Sequence, residues 1–124
     1  MAGTLTISTL SDGTNSTSTT NCIQGSAKAW AKFDGSAATV TASYNVSSVT
    51  KTSAGQYTIT MTNAMSDANY CVFGGCNISG NVTGTVLSIR GSGLTITTSS
   101  FMVTATTCAN NVQDANLAYV SVFR

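Results

Sequence analysis

Apolar and hydroxyl-bearing residues alternate with a period of two along much of this chain. Gln56–Thr62 is the clearest case: Tyr57, Ile59 and Met61 fall on one side, Thr58, Thr60 and Thr62 on the other. That is the pattern of a strand with one buried face. The same reading predicts strands over Ala38–Val49, with Val40, Ala42, Tyr44 and Val46 in one register, and over Asn69–Phe73, where Gly74-Gly75 ends the strand. Further strands are predicted at Thr85–Arg90, Leu94–Thr98, Phe101–Thr106 and Leu117–Phe123. In Ala27–Phe33, alternation sets Lys28, Trp30 and Lys32 against Ala27, Ala29, Ala31 and Phe33. Its alanines would also allow a short helix. Two strands joined by a tight turn at Asp34-Gly35 is the simpler reading. Thr50–Gly55, Gly91–Gly93 and Ser99-Ser100 read as turns, Asn63–Asp67 as a connection and Asn77–Gly84 as a loop.

Closely spaced strands without a helical stretch of useful length predict an all-β fold, a small antiparallel sandwich or barrel-like domain. Ahead of it, Gly3–Leu10 alternates over most of its length and Ser11–Asn21 is low-complexity Ser/Thr/Asn. Residues 1–21 therefore read as an extended polar arm and residues 22–124 as the β domain. Such an arm gains order by lying along a partner chain or sheet. The last strand breaks the simple pattern. Leu117, Tyr119 and Phe123 lie on one face, Ala118, Val120 and Val122 on the other. A strand apolar on both faces is buried on both, and a small sandwich covers only one. The pattern predicts an obligate homo-oligomer. The absence of proline and the scarcity of lysine leave the sheet edges poorly guarded against association.

Composition narrows the chemistry. Charged residues make up 7% of the chain, far below the usual quarter or so, and Ser and Thr together supply about a third, well above ordinary usage. The formal net charge is +1, so no long-range field gathers nucleic acid or an anionic membrane. A near-zero charge favours association and suits a chain that lives in an assembly. No apolar run is long enough to span a bilayer. The N-terminus lacks the charged and apolar regions of a signal peptide, so synthesis and folding in a cytoplasm are expected. Cys22, Cys71, Cys76 and Cys108 could form two disulfides in three pairings; without an export signal, reduced buried thiols are the preferred reading. There is no histidine, and the cysteines are too scattered for a structural zinc site. No metal and no cofactor is expected. Serines are plentiful, but no histidine can act as base and no Gly-x-Ser-x-Gly elbow occurs. All four acids are aspartates, Asp12, Asp34, Asp67 and Asp114, none adjacent in sequence to another. Asp34 and Asp67 read as turn-forming residues, so an enzyme is not expected.

The stretch Ser26–Val72 carries four short motifs in order: Lys28-Ala-Trp30 with Phe33-Asp-Gly35, then Ser43-Tyr-Asn-Val-Ser-Ser48, Gly55-Gln-Tyr-Thr-Ile59 and Met65-Ser-Asp-Ala-Asn-Tyr70. In their order and spacing they resemble a repeated module of bacteriophage tail-fibre and related virion proteins of prophages and cyanophages. Ala118–Phe123 is similar to the final strand of such modules. The resemblance implies a β-rich domain on a trimeric virion fibre, often near the tip that meets the host surface. It would make the partners further copies of this chain, other virion proteins, and a host-surface glycan or protein. The chain amounts to the module plus a short arm, which leaves two placements open: a short fibre or tip subunit, or a decoration (cement) protein on a capsid or tail surface.

Within this frame Trp30 either stacks on a sugar ring or packs in the core or at a subunit interface. Packing is preferred, because tryptophan is well buried on average. Phe33, Tyr44, Tyr57, Tyr70, Val120, Val122 and Phe123 are the other core or oligomer candidates, with Tyr44, Tyr57 and Tyr70 expected in the core and their hydroxyls at the rim. Asn77, Asn81, Asn110 and Asn111, in the two Asn-containing loops, are the candidates for surface recognition, against a plain solvated loop. A sugar- or ice-binding adhesin is the third reading, from the Thr-x-Thr runs Thr39–Thr41, Thr58–Thr60 and Thr95–Thr97. Their spacing is irregular, and an ice binder needs them on one flat face.

Overall fold

A computed structural model describes residues 3–80, 84–89 and 96–124. The elements are β1 (Thr9–Ser11), β2 (Ser16–Ser18), α1 (Thr19–Gly25), β3 (Ala27–Asp34), β4 (Thr39–Tyr44), β5 (Val46–Ser53), β6 (Gln56–Met61), β7 (Cys71–Asn77), β8 (Thr85–Ser88), β9 (Ser100–Thr107) and β10 (Leu117–Phe123). Two four-stranded sheets, β4-β3-β10-β7 (the front sheet) and β5-β6-β9-β8 (the back sheet), form a sandwich with antiparallel pairing throughout. The all-β sandwich expected from the alternation is the observed architecture.

The core follows from that alternation. Ala29, Ala31 and Phe33 of β3 and Ala118, Val120 and Val122 of β10 point inward from the front sheet. Tyr57, Ile59 and Met61 of β6 and Phe101, Val103 and Ala105 of β9 meet them from the back. The alanines of β3 and β10 leave room between the sheets for the larger core side chains, Phe33, Tyr57 and Phe101 among them. Phe33 meets Tyr57 edge-on at 5.2 Å between ring centroids, and Tyr70 meets Phe101 at 6.1 Å, within the range favoured by aromatic quadrupoles.

Several boundaries differ from the sequence reading. Ala38–Val49 is not one strand: it breaks at Asn45, whose φ of 54° turns the chain out of the front sheet and into the back one. The Asn45 side chain holds that corner. Its Nδ2 donates to the Lys28 and Asn63 carbonyls at 3.1 and 3.2 Å, and its Oδ1 accepts from the Asn63 backbone N–H at 2.8 Å. Thr50–Ser53 continue β5 rather than forming a turn, because they pair with Gln56–Thr58 across the Ala54-Gly55 turn. Gly74-Gly75 lie inside β7, which runs on to Asn77 because β10 pairs with it along its whole length. Residues 94 and 95 of the expected Leu94–Thr98 strand, together with Arg90 and the Gly91–Gly93 turn, lie outside the described residues; Ile96–Thr98 is not strand.

The N-terminal segment is more structured than an extended arm. Asp12 accepts from the Thr14 and Asn15 N–H groups at 2.9 and 2.7 Å, closing a small β1–β2 hairpin. Ser18 then caps α1 by accepting from the Asn21 N–H at 3.2 Å, the role serine plays at helix starts. No residue of α1 is buried.

Candidate functional site

The outer face of the front sheet carries the feature that sets this molecule apart. Residues directly opposite across a pair share a face. Trp30 lies opposite Tyr44 on β4 and Ser121 on β10, and Ser121 lies opposite Phe73 on β7. The row Tyr44–Trp30–Ser121–Phe73 therefore crosses all four strands, spanning roughly 14 Å at about 4.8 Å per strand. The neighbouring row is Ala42–Lys32–Tyr119–Gly75. Phe73 is 70% exposed, Tyr44 59%, Tyr119 50% and Trp30 39%. Phe123 is exposed on the same face of β10. The Tyr119 ring lies close over Gly75: a Cβ there would sit 2.6 Å from the Tyr119 hydroxyl oxygen and 2.8 Å from the ring carbon that bears it, so the ring would have to swing aside. The tyrosine ring thus covers the bare backbone of the glycine on β7.

The expected core and oligomer residues divide along these faces. Phe33, Tyr57, Tyr70, Val120 and Val122 are buried, and Trp30, Tyr44 and Phe123 are on the surface. The expectation that Tyr44 joins the core is corrected, because its partner Trp30 faces outward. The reading of Val40, Ala42 and Tyr44 as one register is corrected too. The β3–β4 pairing shifts between Lys32 and Phe33, leaving Thr41 as an extra residue. Val40 then pairs with inward-facing Phe33 while Ala42 and Tyr44 face out. Phe73 and Tyr119 were not singled out as site candidates; the signal for Tyr119 was the doubly apolar pattern of β10, and Phe73 follows only once its pairing with β10 is known.

The loop residues are bound into local structure. The Asn116 N–H donates to the Asn77 carbonyl at 2.8 Å, and the Asn116 side chain accepts from the Ser79 N–H at 2.7 Å. Asn110 takes the left-handed conformation at φ 66°, and the Thr107 hydroxyl accepts from the Asn111 N–H at 3.2 Å. Asn81 lies outside the described residues. The Thr-x-Thr runs do not share a face: Thr39 and Thr41 are on the front sheet, Thr58 and Thr60 on the back one, and Thr95 is outside the described residues.

Each carboxylate has a local structural task. Asp34 accepts from the Ser36 N–H at 2.7 Å in the β3–β4 turn, and the Ser36 hydroxyl and N–H hold its pKa below the ordinary carboxylate value. Asp67 accepts from the Asn69 N–H at 2.7 Å and pairs with Arg124. Both turn roles match the sequence reading. Asp114 pairs with Lys51 at 2.6 Å and accepts from the Gly55 N–H at 2.8 Å; these two hydrogen bonds, Lys51 first, hold its pKa low. Gly55 needs its place in that turn, with φ +66° and a Cβ position 2.5 Å from the Gln113 carbonyl oxygen. Deeper in, the Tyr57 hydroxyl accepts from the Ala115 N–H at 2.9 Å, and burial pushes the Tyr57 pKa up.

The four cysteines are unpaired with one another. Cys71 and Cys108 are exposed and Cys22 and Cys76 half-buried, which corrects the expectation of buried thiols: Cys71 faces outward opposite Phe123, and Cys108 lies beyond the end of β9. Burial pushes the Cys76 thiol up, away from the reactive thiolate form. Among the described residues, no group of three or more Cys, Asp or Glu side chains is placed to hold a metal ion, and no helix is long and apolar enough to cross a membrane. Comparison with protein-family models, with curated proteins and with solved structures returns no match. What the molecule offers chemically is a contact surface, aromatic and flanked by Lys32.

Proposed function

We propose that this chain is a non-enzymatic structural protein of a bacteriophage virion, working as a homotrimer in a tail fibre or fibre tip that contacts the host surface. The observation that carries the self-assembling part is the row Tyr44–Trp30–Ser121–Phe73 on an otherwise complete sandwich. Large exposed apolar patches mark interaction sites, and here Trp30, Tyr44, Phe73 and Tyr119 are exposed on one face, with Ser121 and Lys32 among them. The four ordered motifs of Ser26–Val72 support placing the assembly on a virion. The local structural tasks of all four aspartates support a non-catalytic role.

A second reading, a decoration protein that stabilises a capsid by bridging subunits, is favoured by the N-terminal segment, where Leu5, Ile7, Leu10 and Ile23 are all exposed. Labelling the protein in intact virions separates the two. Label at the fibre or its tip is the expected result; label over the head would replace the fibre reading with the decoration reading. Absence of label from virions would overturn both.

A further inference from the structure

Strand β4 and the N-terminal residues each lack what the other could supply. All six residues of β4 are exposed. Among the described residues the strand pairs only with β3, so its other edge presents backbone groups with no described strand beside them. It carries no charge and no proline, two of the devices that protect edges. Its single irregularity is the extra residue Thr41, and Ala42–Tyr44 beyond it pair regularly with β3. The other edges are better guarded. β5 carries Lys51 and two register shifts. β7 is approached by β8, whose Thr85 hydroxyl donates to the Cys76 carbonyl at 2.5 Å.

Residues Gly3–Ile7 have the converse problem. Thr4-Leu5-Thr6-Ile7 alternates as a strand should, yet these residues lie outside every strand and are exposed, Leu5 to 81%. Their base is anchored: the Thr19 N–H and hydroxyl donate to the Ser8 and Ile7 carbonyls at 3.0 and 2.9 Å. No charged residue occurs from Gly3 to Ser11, so nothing repels the segment from an uncharged edge.

We propose that Gly3–Ser8 of one copy adds as a further strand to the free edge of β4 in a second copy. The side-chain patterns agree. With Leu5 and Ile7 turned to the outer face they fall beside Tyr44 and Ala42, and Thr6 then falls beside Ser43 on the opposite face, where hydroxyl pairs form cross-strand contacts. The contact joins two different surfaces, so its repetition closes a ring where the rotation per copy divides a full turn and runs on as a filament where it does not; a third of a turn per copy gives the trimer proposed above. This inference rests on the self-assembling reading above and adds an edge contact to the face contact proposed there.

The test compares the full chain with its Leu5→Asp/Ile7→Asp variant, by sedimentation and by amide hydrogen exchange. Both substitutions lie outside the sandwich core and leave its folding intact. The expected result is an assembly for the parent chain and single chains for the variant. Those amides of Thr39–Tyr44 that point to the free edge should exchange at least about tenfold faster in the variant, with the amides bonded to β3, and those of β3 and β10, unchanged. A variant that assembles normally with β4 equally protected would overturn the strand addition and leave self-assembly standing. So would loss of assembly without any change at β4, since the segment then docks elsewhere. A monomeric parent chain would overturn self-assembly and the strand addition together; protected β4 amides in such a monomer would assign the pairing to one chain's own segment.

Discussion

The two outer faces of the sandwich each belong to a four-stranded antiparallel sheet, yet they are finished differently. Across the back sheet, Ser48 lies opposite Thr60 and Thr60 opposite Ser100, with Thr50, Thr58 and Met102 in the next row. Across the front sheet the corresponding positions are Tyr44, Trp30, Ser121 and Phe73. Hydroxyls can bond water or one another, as Ser100 does with Thr97, and the exposed apolar side chain at the β8 end of the back face is Val86. Aromatic rings gain by leaving water, each burying a large apolar area. Backbone geometry therefore does not decide which face is aromatic. The residues at the outward positions of β3, β4, β7 and β10 do.

The largest effects should come from confusing inner with outer aromatics. Phe33→Ala removes a ring that is fully buried against Tyr57 and should cost about 3–5 kcal/mol of folding stability in a denaturation curve. Phe73→Ala, on the outer face, should leave the folding of a single chain within about 0.5 kcal/mol. Phe73→Lys should instead disrupt assembly, read as a fall in sedimenting mass, whereas Thr58→Lys on the back face should leave the mass unchanged. Equal responses to the two lysines would erase the distinction between faces.

The corner that passes the chain from one face to the other comes next. Asn45→Ala loses the hydrogen bonds to Lys28 and Asn63 and places an unfavourable residue at φ 54°. A loss of about 2 kcal/mol is expected by chemical denaturation. Asn45→Gly should recover part of it by tolerating the backbone conformation.

The smallest effect concerns pH. The Asp114 pKa is lowered in the fold, chiefly by its hydrogen bond from Lys51. Its stabilisation is therefore present above the unfolded carboxylate pKa of about 3.9 and is lost as pH falls through the lower folded value. Because the pair is about a third exposed, solvent screening holds this contribution under about 1 kcal/mol. Asp114→Asn should flatten the acid limb of a stability–pH curve slightly and leave its neutral region nearly level.

Much of the fold could be read from residue order. β6 and β10 fall where the alternation of Tyr57, Ile59 and Met61 and of Ala118, Val120 and Val122 put them. The turn at Asp34 followed from side-chain chemistry that acts within a few residues. What failed was decided at longer range. Asn45 breaks a continuous β pattern because carbonyls of Lys28 and Asn63, distant in sequence, receive its amide. One extra residue at Thr41 moved Val40 to the opposite face from Ala42 and Tyr44. The candidate surface was half legible: the doubly apolar β10 announced an outer apolar face, but Phe73 joins it only through its register with Ser121.

Trp30 is the only tryptophan in the chain and sits in the middle of the aromatic row, so its fluorescence reports the central claim directly. In the full chain at concentrations where it assembles, Trp30 emission should be blue-shifted and shielded from acrylamide, and Phe73→Lys should return it to a solvent-exposed, freely quenched state. Solvent-exposed emission that is the same at every concentration and in both proteins would contradict a covered front face.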